Sequence, residues 1–159
     1  MASSIHAVYD HLRTPFKREV PVLQGSYENG GEWEQAGLYK CCFIEAEGRY
    51  WMFYNAKDKA EWPWTEETGL AVSVDLMHWE RYAGPGGFEP VMRVQLDSFY
   101  SHYLSDPHIR LDSRLSKYNR LYHFYCACRP AKHGDGAKIA EGDGEFRCIA
   151  LRTSSPIDE

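Results

Sequence analysis

Arg49-Tyr50-Trp51-Met52-Phe53-Tyr54-Asn55-Ala56 decides the fold class. The run is too short and too aromatic for a helix. A near-continuous apolar stretch of this length suits a strand covered on both faces. Glu47-Gly48 before it reads as a tight turn, and residues 38–46 as the strand that precedes the turn. Downstream, residues 57–68 form a polar loop centred on Trp62-Pro63-Trp64. Gly69-Leu70-Ala71-Val72-Ser73-Val74 is a third strand. Asp75-Leu76-Met77 turns the chain into a fourth, His78-Trp79-Glu80-Arg81-Tyr82. Ala83-Gly84-Pro85-Gly86-Gly87 then breaks it.

The order repeats. Residues 88–104 connect, 108–112 read as a strand, 113–118 as a polar turn and 119–128 as a long aromatic strand. Residues 129–144 are a Gly-rich loop, and the alternating stretch 145–153 matches 69–74. Ser105-Asp106-Pro107-His108-Ile109-Arg110 puts a carboxylate at the mouth of the second copy's first strand, with a proline fixing its approach. The first copy reads Tyr39-Lys40-Cys41-Cys42-Phe43-Ile44, so Lys40 stands where the second copy has Asp106. Residues 1–35 are irregular, with a short edge strand over 20–24 and a turn over 26–31.

The expected fold is all-β: about two four-stranded antiparallel meanders of a β-propeller, forming an incomplete ring. Repeats of about 65–80 residues built as up-and-down meanders signal blades, and propellers need at least about four to close. The expected division is a run-in segment 1–35, a first blade 36–87, and a connector with an incomplete second blade 88–159, all in one domain. Two blades cannot close a ring, which points to an oligomer that completes the propeller or to a fragment.

The chain has 159 residues, 43% hydrophobic and 26% charged, with a formal net charge of −5. Lys and Arg are scattered singly, so the basic footprint of a nucleic-acid binder is missing. No apolar run is long enough to span a membrane. The first ten residues lack the basic and apolar regions of a secretory signal. Five cysteines without such a signal fit reduced thiols, and the expected location is cytoplasmic. Cys126 and Cys128 share a strand face, but their spacing is not that of a zinc knuckle, and no metal site is expected. Gly134-Asp135-Gly136 and Gly142-Asp143-Gly144 lack the full oxygen set of a calcium loop.

Three motifs carry a family resemblance. Gly48-Arg49-Tyr50-Trp51-Met52-Phe53-Tyr54 is similar to a "dGkyYmfY" second strand. Gly69-Leu70-Ala71-Val72-Ser73-Val74-Asp75-Leu76-Met77-His78-Trp79-Glu80 is similar to "iglAtSkDLvhWe". Ser105-Asp106-Pro107-His108-Ile109 is similar to a "DPhv" first strand. The chain thus resembles the five-bladed β-propeller glycoside hydrolases of families 43 and 32 and their relatives, over roughly residues 14–158.

The resemblance implies carboxylates placed around a central funnel, one per blade. Asp106 matches the catalytic aspartate of the "DP" motif, while Lys40 departs from it. No residue matches the general-acid glutamate; Glu141 and Glu145 lie in settings of the wrong type. The resemblance allows a channel calcium ion, and no other cofactor is implied. His108 and Lys40 are candidates to touch substrate. Trp62 and Trp64 are candidates for a sugar-stacking platform, and Trp33 for the rim of the same mouth. The expected ligand is a carbohydrate, with neither nucleic acid nor membrane as partner. The functional reading is glycosidic-bond hydrolysis with Asp106 as a funnel carboxylate. Its alternatives are a non-catalytic glycan-binding or interaction module, or a truncated inactive fragment.

Overall fold

A computed structural model describes residues 21–111, 120–132, 135 and 144–155. The described part is all-β with almost no helix. One helical turn, α1 (Tyr27–Gly30), and a 3-10 turn (Glu32–Glu34) precede the strands. The turn expected over 26–31 has therefore closed into α1, and the edge strand expected at 20–24 is absent from the described residues 21–24. The strands are β1 (Gly37–Ala46), β2 (Arg49–Lys57), β3 (Glu66–Ser73), β4 (Glu80–Arg81), β5 (Tyr103–Leu111), β6 (Leu121–Pro130) and β7 (Glu145–Thr153).

The seven strands make one open sheet in the order β1-β2-β3-β5-β6-β7, with β4 on β3. Two antiparallel meanders compose it, β1-β2-β3-β4 and β5-β6-β7. A single parallel pairing, Glu66 with Tyr103, joins them. It follows from these pairings that β1, β3 and β5 all run the same way. β1 and β5 also lie together, where the Ile109 amide donates to Cys42 Sγ at 3.2 Å.

The first strand of each meander carries one extra residue. The register shifts between Tyr39 and Cys41 in β1, and between Ser105 and His108 in β5. Lys40 (φ 40°) and Asp106 (φ 56°) sit at these bulges in the left-handed region. Asp106 thus lies inside β5 and not ahead of it. Aligning the bulges places Tyr54 on Tyr125, Phe53 on Phe124, Leu70 on Leu151, Thr68 on Ile149 and Glu66 on Arg147.

Corresponding faces of the meanders are covered in corresponding ways. Met52, Tyr54, Ala56 and Ala71 are buried beneath Leu23, Trp33, Leu38 and Trp79. Leu104, Tyr125 and Ala127 are buried beneath Met92 and Tyr100 of the connector. Trp33 stacks on Tyr54, and Tyr100 packs edge-on against Tyr125. The run-in segment is held by a buried ion pair: Glu34 is fully buried, and Arg81 Nε donates to its Oε1 at 2.6 Å. Tyr54 Oη donates to Glu34 Oε2 at 2.8 Å, and Arg81 also reaches the Gln24 carbonyl. A Cβ on Gly30 would lie 1.5 Å from Glu34 Oε1, so this fit requires glycine.

Candidate functional site

The two bulges lie against each other. Lys40 Nζ lies 2.6 Å from Asp106 Oδ1, joining the two residues that the repeat aligns. The Asp106 carboxylate raises the Lys40 pKa, chiefly through this hydrogen bond. Tyr39, beside Lys40, has its phenol pushed far up by burial, by its hydrogen bond to Glu66, and by the charges of Glu66 and Asp106.

Glu66 is the second carboxylate here. Trp64 Nε1 donates to its Oε1 at 3.0 Å, and Asn55 Nδ2 to its Oε2 at 3.2 Å. Asn55 is fully buried, and its Oδ1 has no partner. Arg147, the repeat equivalent of Glu66, pairs with Glu145 at 2.5 Å and sits 5.4 Å from the Tyr103 ring. The charges are therefore exchanged between the copies: Lys40 and Glu66 in the first, Asp106 and Arg147 in the second.

The aromatic wall is continuous. Trp64 folds back and stacks on Tyr103 at 6.1 Å, with Lys57 Nζ 5.2 Å from its ring centre. Trp62 stays 56% exposed, edge-on to Trp64 at 5.4 Å and to His102 at 5.5 Å. The Trp62–Pro63 peptide is cis. Trp62, His102, Pro130, Gly144 and Glu145 line a cleft of about 560 Å³. Exposed indole faces beside fixed carboxylates and cations can stack on the C–H face of a sugar and hydrogen-bond its hydroxyls.

The structure joins Asp106 to Lys40 and Trp62 to Trp64, links the two pairs through Tyr39 and Glu66, and distributes the other candidates differently. Trp33 donates through Nε1 to the Phe88 carbonyl at 3.0 Å. It lines a separate cleft with Glu32, Asp58, Thr65 and Arg93. His108 is exposed and pairs with Phe124, so it shares the Phe124 face of the second meander. Glu66, Asn55 and Tyr39 were missed by sequence reasoning. The pair Glu66-Glu67 reads as polar loop, and only the alignment of Glu66 with Arg147 would have marked it.

Among the described residues no group of three or more His, Cys, Asp or Glu could hold a metal ion. The thiols there are unpaired, and burial pushes Cys128 up to about 12. No described helix is long and apolar enough to cross a membrane. The loops carrying Gly134, Gly136, Gly142 and Asp143 lie outside the described residues, as does the run-in motif at 14–17.

No family model matches the chain, and neither does any curated protein. Solved structures do. A glycosyl hydrolase from Bacteroides ovatus matches 91% of the chain with a TM-score of 0.62 at 17% identity. A BT0996 complex with RGII and a further glycoside hydrolase each match 76% with a TM-score of 0.50 at 18% identity. The chain has a glycoside-hydrolase-like fold. It spans between 28% and 38% of the length of these proteins. At such identities the likeness is one of fold.

Proposed function

We propose that the chain is a carbohydrate-active segment of a five-bladed glycoside-hydrolase propeller of the family 43 and 32 type, with Asp106 as a funnel carboxylate. The observation that carries this reading is the placement of Lys40 and Asp106. They occupy equivalent bulges on parallel, adjacent first strands, joined at 2.6 Å, and Tyr39 beside Lys40 bonds the Glu66 carboxylate that Trp64 also holds. A bulge re-aims a side chain at a sheet edge, which suits a carboxylate that must face a channel.

Glycoside cleavage needs a proton donor on the leaving oxygen and a carboxylate across the anomeric carbon. Asp106 takes the second role, with Lys40 positioning it. Glu66 is fixed by the Trp64 indole and the Asn55 amide, and its remaining lone pairs serve as acceptors for sugar hydroxyls. No residue of the chain matches the proton-donating glutamate that the resemblance implies. The odd cysteine count favours reduced thiols, which supports a cytoplasmic location as part of this proposal.

The test is turnover of aryl glycosides and oligosaccharides by the wild-type protein and by Asp106→Asn. Asparagine keeps the left-handed backbone accessible. Loss of turnover with an unchanged fold supports the assignment, and equal turnover removes it. The Lys40–Asp106 pair also favours a second reading, a glycan-binding module without hydrolysis. Binding that depends on Trp62 in the absence of turnover would select it.

A further inference from the structure

The meanders meet through an interface whose two halves recur, exposed among the described residues, on β1 and on β6 and β7. We propose that the chain associates head to tail with a second copy of itself, Phe43 of one copy docking on Phe124, Ile149 and Leu151 of the next.

The internal interface supplies the template. Phe53 of the first meander lines a cleft with Val91, Met92, Ile109 and His123, and its cross-strand neighbour is Leu70. Thr68, two residues before Leu70, is fully buried, and its Oγ1 donates to the Leu104 carbonyl at 3.2 Å. Ile109 fills this junction from the second meander at 7% exposure.

The repeat register carries each of these positions to the far side of a meander. Phe53 and Leu70 become Phe124 and Leu151, the same residue types, now 39% and 50% exposed. Thr68 becomes Ile149, at 77% exposure. In the other direction Ile109 becomes Phe43, at 54% exposure. The segment over the first meander matches the connector over the second, since Trp33 sits on Tyr54 as Tyr100 sits on Tyr125. Its Val22 is likewise exposed.

β6 and β7 thus offer the receiving half of an interface that the molecule already forms internally, and β1 offers the inserting half. Such contacts are heterologous. They close into a ring when the rotation between copies allows and otherwise extend. This association follows from repeat geometry and is independent of any catalytic role.

Sedimentation of the full chain over a dilution series, with two variants, tests the proposal. The wild-type protein should form oligomers that dissociate on dilution. Phe43→Lys and Leu151→Asp should each be limited to monomer, because each loses one half. Their equimolar mixture keeps one intact pair of halves, and should give a 1:1 dimer that grows no further. A monomeric wild type overturns the proposal. So does a dimer that Leu151→Asp abolishes but Phe43→Lys leaves intact, which marks a symmetric face-to-face contact. Circular dichroism of each variant checks that it retains the wild-type fold.

Discussion

Lys40 and Asp106 face each other at 2.6 Å from bulges that occupy the same position in two successive meanders. Both side chains are substantially exposed, so the contact contributes little to stability. Its consequence is orientation. Asp106→Asn should leave the melting temperature near wild type. Under the proposed function it should lower glycoside turnover on the order of 10³-fold, the scale of a lost acid–base group. Thermal melts and initial rates on one preparation separate the two effects.

The two tryptophans of the 57–68 loop should behave differently. Trp62 is exposed and donates no hydrogen bond among those described, whereas Trp64 is tied to Glu66, Lys57 and Tyr103. Trp62→Ala should weaken glycan binding with stability unchanged. Trp64→Ala should weaken binding and lower the unfolding midpoint as well. Titration with a glycan panel and urea denaturation give the comparison.

Glu34 is buried with a charged partner, and removing either charge leaves the other uncompensated. Glu34→Gln should cost about 3 kcal/mol of stability. Gly30→Ala should be destabilising too, since its Cβ would occupy the space of the Glu34 carboxylate. Both effects should appear as lower urea midpoints, with a loosened 21–35 segment in hydrogen exchange.

His123 is buried, stacks on Tyr125 at 5.0 Å, and has no partner on either ring nitrogen. Burial, and then the Arg152 charge, lower its pKa to about 4. The unfolded chain binds this proton near pH 6.5 and the folded chain only near pH 4. Stability is therefore unaffected above about pH 6.5, falls as pH drops to about 4, and levels off below, by up to about 3 kcal/mol. His123→Phe should remove this acid sensitivity, read from unfolding midpoints across that range.

Thiol reactivity should follow burial. Cys41 is exposed, while Cys128 is fully buried with its thiol held at about 12. An aromatic disulfide reagent at neutral pH should label Cys41 early and Cys128 only on unfolding. Cys41→Ser should delete the fast phase.

The strands were legible because their aromatic runs are short and bounded by glycine turns. Arg49 to Ala56 lies within β2, and the alternating stretch from Glu145 to Thr153 is β7. The start of β3 was not legible. Glu66, Glu67 and Thr68 read as loop, yet Glu67 is buried and accepts the Val94 amide at 3.0 Å. Polar residues enter a strand interior when tertiary partners satisfy them, and a sequence does not reveal those partners. The correspondence of Lys40 with Asp106 was visible in the repeat. Their contact was not, because it depends on two left-handed residues in side-by-side strands. His108 was expected at the channel, and the extra residue in β5 sets it opposite Phe124.

The exchange of charge between the copies makes the order of the repeats directional. Two meanders carrying the same residue at the bulge would set ammonium against ammonium or carboxylate against carboxylate. With Lys40 in one and Asp106 in the other, each unit attracts its opposite and repels its own kind. The contact between the two first strands thus fits unlike meanders side by side and disfavours two like ones.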